Sequence, residues 1–338
     1  MKVLILKPSS LGDVIHALPV LRLLKKHRPD ARVTWWISSA LAPLLEADPD
    51  LEDLLPFDRR RWGRPRHWPE LAASVLQTRA RRYDVVIDLQ ALARSALFGW
   101  LANAGLTIGL EDSREGAHAF YDHPIRRPSP LTHAVDWYLQ TLAPLGIPRT
   151  GAFDWIPLRK DVRDRVRQTW NVEGGPWVLL IPGARWFNKR WPSERFADLV
   201  RALCRRSPGF RFAVLGGGED RAMGQAIHAA APDRVMDLTG RTTLPEMVEW
   251  IRLGHVMVTN DTGPMHVAAA LGKPVVALFG PTELRRTGPY GQLQHVLRHD
   301  LPCAPCLKDS CAWVRPMECL ERISVDETVA QVLGRLSP

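Results

Sequence analysis

The sequence predicts an α/β protein of two domains, and three observations carry that expectation. Short, continuous apolar runs recur along the chain, each followed by a polar or glycine-containing turn and then a helical pattern. Strands buried on both faces of a parallel sheet read this way. The alternation lapses over 151–158, where Gly, Pro and isolated aromatics show no period, and then restarts. A chain of 338 residues is also long for a single core.

In the first half, Val3, Leu4, Ile5 and Leu6 make a strand over 2–7. A turn over 8–12 and a helix over 13–26 follow, so Ser9, Ser10, Gly12 and Asp13 stand where strand becomes helix. Open α/β sheets bind ligands at that edge, outside the carboxyl ends of the strands. The turn has no G-x-G-x-x-G, which speaks against a dinucleotide fingerprint. Asp13 reads either as a first-turn acid favoured by the helix dipole or as a base at the edge. Residues 33–37 are the second strand and 40–47 a short helix. The arginine-rich segment 58–67, interrupted by Trp62, Gly63 and Pro65, reads as a loop, either a solvated surface or an anion contact. An amphipathic helix with a basic end covers 68–82. A strand over 85–89 leads into a turn and helix start carrying Asp88, Gln90, Arg94 and Ser95, either a polar helix start or a binding edge. A strand over 106–110, a polar loop over 111–116 and a helix over 133–145, stopped by Gly146, complete this half.

The second half begins with a strand over 178–181 and a long polar turn, Pro182 to Pro192, that contains Gly183 and Lys189. Ser193 is placed to cap a helix over 194–204. A strand over 211–215 runs into Gly216, Gly217, Gly218, Glu219 and Asp220, where glycine permits close backbone approach. Another turn into a helix spans 238–246. The stretch 256–282 then reads strand, turn, helix, turn, strand. Asn260 and Asp261 end the strand and are placed to cap the helix, Pro264 suits its first turn, and Gly272 its end. Asp261, Thr262, Gly263 and His266 crowd its N-terminus, which offers free N–H groups and partial positive charge to an anion. The plainer alternative is an ordinary capped helix. A last helix covers 326–336.

Composition narrows the class. Apolar content of 46% and charged content of 24% are those of a soluble globular protein. Only four apolar residues separate Lys2 from Lys7, unlike a secretory signal, and no apolar run approaches the roughly 18 residues of a membrane span. The expectation is a cytoplasmic protein. A net charge of +9 suits an anionic partner: nucleic acid, a phosphorylated substrate or an anionic lipid surface. Four of the five cysteines cluster as Cys303, Cys306, Cys311 and Cys319, a pattern that suits either a structural metal or buried free thiols.

With these residues read, the chain resembles the bacterial heptosyltransferases of glycosyltransferase family 9. The resemblance lies in Ser9 to Pro19, in Asp88 and Gln90 with Arg94 and Ser95, in Lys189 to Pro192, and in Asn260 to His266. It implies the α/β GT-B architecture, two Rossmann-like domains facing a central cleft. An acceptor-binding domain would cover 1–157, a nucleotide-sugar-binding domain 158–322, and a C-terminal helix over 323–338 would pack back on the first domain. The implied reaction moves heptose from ADP-heptose to a lipopolysaccharide inner-core acceptor, with inversion and no cofactor or catalytic metal. In that reading Asp13 is the general base, and Lys189 neutralises the departing diphosphate. Thr262, Gly263 and His266 hold the diphosphate, with Ser10, Gly12, Gly183 and Asp261 also on the donor side. Glu219 reaches the ribose, and Arg241 and Thr242 lie against adenine. Arg60, Arg61, Gln90, Arg94 and Arg114 face a phosphorylated, lipid-linked acceptor at the inner leaflet of the inner membrane. Lys189, in a solvated turn, is expected to be dispensable for folding.

Two other classes stay open on the sequence. One is a GT-B transferase with a UDP- or GDP-sugar donor or a different acceptor. The other is a non-enzymatic binder of nucleic acid or anionic lipid. Scattered arginines and the lack of a nucleic-acid module argue against nucleic acid.

Overall fold

The structure, a computed structural model, describes residues 1–111 and 115–336. The chain divides into two compact units, Met1–Pro157 and Leu158–Pro338. The first holds β1 (Lys2–Leu6), β2 (Arg32–Ser38), β3 (Asp53–Phe57), β4 (Val85–Asp88), β5 (Leu106–Glu111) and β6 (His123–Arg126). The second holds β7 (Trp177–Ile181), β8 (Arg211–Val214), β9 (Val235–Asp237), β10 (Val256–Asn260), β11 (Val275–Leu278) and β12 (Val296–Leu297). Every pairing in both sheets is parallel.

The sheet orders are β3-β2-β1-β4-β5-β6 and β12-β11-β10-β7-β8-β9. Read from β9, the second repeats the first, and both follow the Rossmann order, so the expected α/β class with two Rossmann-like units stands. In such an order the strand sequence reverses beside the first strand, and the crevice there is where ligands bind. That point lies between β1 and β4 in the first unit and between β7 and β10 in the second.

The central strands form because their residues are apolar without interruption. Val3 to Leu6 and Val178 to Leu180 are buried on both faces. In the second unit Trp191, Phe196, Leu199 and Val214 pack with Val258 and Leu278 in one core. The first unit closes over its own linker end, where Arg22 binds Asp48 at 2.7 Å and donates to the Trp155 carbonyl at 3.1 Å.

Several elements differ from the sequence reading. The strands β3, β6, β9 and β12 are additional, and all four are sheet edges. The helix Lys160–Trp170 is additional too, because only Val162 and Val166 of it are buried. The arginine-rich loop contains a helical turn, Arg59–Trp62, and a 3-10 turn, Pro65–His67. Ser193 is the first residue of the helix Ser193–Arg206, and Pro192 holds the cap position instead. The final helix, Val325–Leu336, was expected to pack on the first domain. It places Val329 and Val332 in the core of the second unit, with Trp191 donating Nε1–H to the Ile323 carbonyl at 3.1 Å. A lone apolar stripe does not encode which core it matches.

Candidate active site

In the first unit, the loop after β1 and the turn after β4 flank the switch point. Ser10 caps the helix Leu11–His27, and Gly12 is buried in its first turn. Oδ2 of Asp13 accepts from the Ser10 amide at 2.9 Å and the Ser10 hydroxyl at 2.7 Å. The two sequence readings of Asp13 therefore merge: it is a first-turn acid in a capping arrangement, and that arrangement fixes its carboxylate at the carboxyl edge of β1. Beneath it lies Lys7, which the sequence reading passed over as the end of a strand. Lys7 is buried, donates to the Leu89 carbonyl at 2.9 Å, and sits 5.1 Å from the centre of the Tyr138 ring. Burial works to lower its pKa, but Tyr138, Asp13 and Asp88 outweigh it and hold the ammonium above its ordinary value. A lysine directly after an apolar strand was the signal available in the sequence.

After β4, Asp88 is fully buried and structural. Its carboxylate accepts from the amides of Gln90 at 2.8 Å and Ala91 at 3.2 Å, and from the Tyr121 hydroxyl at 2.8 Å. Burial raises its pKa, against those hydrogen bonds. Ser95 likewise closes its own helix start, donating to the Leu92 carbonyl at 2.9 Å. Gln90 differs: its Oε1 is buried with no hydrogen-bond partner among the described residues.

The expected acceptor arginines are in three situations. Arg60 is exposed, and its amide donates to Asp58 at 2.9 Å. Arg61 forks onto Glu70 through two bonds of 2.7 Å, which pull the Glu70 carboxyl down to a pKa of about 2. Arg94 is exposed and lines an apolar groove. Arg114 lies outside the described residues.

In the second unit, β7 and β10 flank the switch point, and their loops are tied together. Asn260 is buried, accepts from the Trp191 amide at 3.0 Å, and donates to the Pro182 carbonyl at 2.8 Å. This holds Phe187–Lys189 against β10. Lys189 donates to Oδ2 of Asp261 at 2.7 Å and lies 4.6 Å from the Trp186 ring centre. The same oxygen accepts from the Thr282 hydroxyl at 2.6 Å. The Lys189 and Asp261 side chains are only 17% and 7% exposed. Two expectations are thereby corrected. Lys189 is not a dispensable residue of a solvated turn, because Asp261 depends on it for its charge partner. Asp261 is not the helix cap: Thr262 is, in extended conformation, and its side chain makes no capping hydrogen bond. Gly263 starts the helix Gly263–Ala270, and His266 is buried on it.

Glu219 and Arg241 stand further along the same edge, after β8 and β9. Glu219 is exposed in the turn Gly218–Asp220. Arg241 donates to the Asp237 carbonyl at 3.1 Å and covers the Trp170 ring at 4.8 Å. Thr242 precedes the capping box that Thr243 makes with Glu246. Asp220 was missed. It is buried, with its pKa raised by that burial, and donors and glycines crowd it. A Cβ on Gly183 would lie 2.4 Å from its carboxylate, so Gly183 is required there by packing.

Among the described residues, no group of three or more His, Cys, Asp or Glu is arranged to hold a metal ion. Cys303, Cys306, Cys311 and Cys319 are free, half-buried thiols, and burial pushes Cys319 up to about 11.

Known proteins resemble this chain in sequence and in fold. Residues 73–315 match the model of glycosyltransferase family 9 (heptosyltransferase). Lipopolysaccharide heptosyltransferase 1 of Pseudomonas aeruginosa is 33% identical over 328 residues, covering 93% of this chain and 88% of the relative. A glycosyl transferase family 9 structure from Veillonella parvula superimposes with a TM-score of 0.84 at 24% identity, covering 99% of this chain and 97% of that one. E. coli heptosyltransferase WaaC, solved with ADP-2-deoxy-2-fluoro heptose, gives 0.78 at 24% identity over the whole of both chains. The chain is a member of glycosyltransferase family 9, the heptosyltransferases.

Proposed function

We propose that this chain transfers heptose from ADP-heptose to a phosphorylated, lipid-linked inner-core acceptor of lipopolysaccharide, with inversion and without a catalytic metal. The observation that carries the donor reading is the order of residues along the carboxyl edge of the second sheet. Thr262 and Gly263 follow β10, Lys189 follows β7, Glu219 follows β8, and Arg241 follows β9, and these strands are neighbours in that order. At about 4.8 Å per strand the row spans roughly 14 Å. That suits an extended nucleoside diphosphate: phosphates at the helix N-terminus and Lys189, ribose at Glu219, adenine at Arg241 and Thr242.

The chemistry follows from the residues. The acceptor hydroxyl attacks the anomeric carbon, and its proton passes to the Asp13 carboxylate as the bond forms. The bond from that carbon to the ADP oxygen breaks, and the electron pair leaves with ADP. Lys189 and the N-terminus of Gly263–Ala270 stabilise the charge that develops there. Attack opposite the leaving group inverts the anomeric centre. Because the acceptor is lipid-linked, the reaction belongs at the cytoplasmic face of the inner membrane. In this reading attachment there is peripheral; no described helix is long and apolar enough to cross a membrane.

Calorimetry with ADP-, UDP- and GDP-sugars, followed by transfer assays in the presence of a chelator, tests this reading. ADP-heptose should bind, and transfer should survive the chelator and give a product of inverted configuration. Preference for another nucleotide would replace the donor, and loss of transfer with the chelator would refute metal independence.

The acceptor side has its own test. Replacing Arg60 and Arg61 with Ala should raise the acceptor KM, leave donor affinity unchanged and weaken the salt dependence of acceptor binding. Glu70→Gln should do the reverse, because it releases Arg61 from its bidentate partner. If neither variant moves the acceptor KM, Arg60 and Arg61 do not contact the acceptor.

A further inference from the structure

The first unit carries an apolar groove of about 810 Å³ on its own surface, between the helices Trp68–Ala80 and Ala93–Leu101. On one helix Trp68, Leu71, Val75 and Leu76 follow helical spacing, the stripe with which a helix ordinarily packs on a core. Yet only Thr78 of that helix is buried. The stripe faces Leu97 and Leu101 across the groove, over a floor that includes Trp36 stacked on Phe98 at 4.7 Å. Trp68 is 60%, Leu76 65% and Leu97 43% exposed. Large apolar side chains gathered at the solvent boundary are the kind of surface that binding sites use.

The charge around it identifies the occupant. Between Asp58 and Arg82 there are eight arginines and two acids. Both acids are engaged: Asp58 accepts the amides of Arg60 and Arg61, and Glu70 holds Arg61 and His67. Arg94 lines the groove and is exposed, Arg64, Arg66 and Arg79 are exposed on the segment that supplies its Trp68–Leu76 wall, and no acidic residue among the described residues lines it. A protein helix would bring mixed charges and a polar back. A fatty-acyl chain joined to a phosphate headgroup brings an apolar rod with negative charge at one end, which is the complement of this surface. Trp68, at the groove's edge, is the residue type that settles at the headgroup level.

We propose that this face docks on a bilayer containing anionic phospholipid, the groove taking an acyl chain and the arginines the headgroup phosphates. The proposal deepens the membrane-linked acceptor reading above, since it names the surface by which the enzyme reaches that membrane. One chain in a groove plus a basic patch gives reversible attachment, not permanent insertion.

Co-sedimentation of the full chain with vesicles tests it directly. Vesicles of phosphatidylglycerol and phosphatidylethanolamine should carry the protein down at physiological salt, and phosphatidylcholine vesicles should not. Leu76→Asp with Leu97→Asp should reduce binding roughly ten-fold or more, because both side chains would leave the acyl region. ADP affinity and melting temperature should be unchanged, since both residues are exposed. Arg64→Gln, Arg66→Gln and Arg79→Gln together should abolish the preference for the anionic lipid. Failure of the parent to sediment with the anionic vesicles, or undiminished sedimentation of the leucine variant, overturns the proposal. So does a parent dimer that the leucine variant dissolves, which would make a second copy the occupant. Donor turnover is scored separately, so a transferase that ignores vesicles refutes this docking face alone. A vesicle binder without transfer refutes the functional reading alone.

Discussion

Asp13→Asn is expected to bind ADP-heptose as the parent does and to turn over roughly two to four orders of magnitude more slowly, the range lost with a general base. The substitution is clean because of where Asp13 sits. Its Oδ2 accepts two hydrogen bonds from Ser10 at the start of the Leu11–His27 helix. The carbonyl of an asparagine can accept the same bonds, so the cap and the side-chain position survive while the basic carboxylate is lost. Asp13→Ala would remove the cap as well, at about 1 kcal/mol of stability, and would confuse the two effects. Calorimetry on the donor and single-turnover kinetics with acceptor separate binding from chemistry. Near-normal turnover in the asparagine variant would leave Asp13 as a capping residue and nothing more.

Lys189→Ala has the second large expected effect, and it divides into two parts. Asp261 is buried, and Lys189 and Thr282 both bind its Oδ2. Removing the lysine leaves that carboxylate without its cation, a loss of about 3 kcal/mol for a largely buried pair. The melting temperature of the unliganded protein should therefore fall by roughly 5–10 °C. ADP affinity should fall by about 1.5–3 kcal/mol, the range for a hydrogen bond to a charged group, while adenosine binds as before. The double variant Lys189→Ala with Asp261→Asn discriminates between the parts. It removes the unpaired charge, so the melting temperature should recover while ADP binding stays weak. Full recovery of ADP affinity in the double variant would mean that Lys189 serves only Asp261, and the diphosphate would have to be held elsewhere.

The contrast between these residues shows what sequence reading could reach at the site. The positions of Thr262, Gly263 and Lys189 at strand-to-helix turns were legible, because turn chemistry is local. Their partners were not. The Lys189–Asp261 pair joins positions 72 apart, and the Asp88–Tyr121 bond positions 33 apart. Neither is visible until the sheet sets adjacent loops side by side. Lys7 and Asp220 were missed for the same reason. A charged residue after a strand is unremarkable until its burial is known, and burial belongs to the fold.

The same division holds for the elements. The eight inner strands were readable from the sequence alone, because burial on both faces demands unbroken apolar runs such as Val3 to Leu6. The edge strands β3, β6, β9 and β12 were not. An edge strand is half solvated and tolerates residues such as Pro56 and Pro124, so its pattern resembles a loop. The sequence by itself therefore determined the α/β class, the restart of the fold in the second half, and the positions of the turns at the carboxyl ends of the strands. Only the tertiary structure decided which charges pair, which core receives the final helix, and that the stripe from Trp68 to Leu76 is left facing an open groove. Each of these depends on contacts between distant segments, and helical or strand periodicity records a residue's face without recording what will cover it.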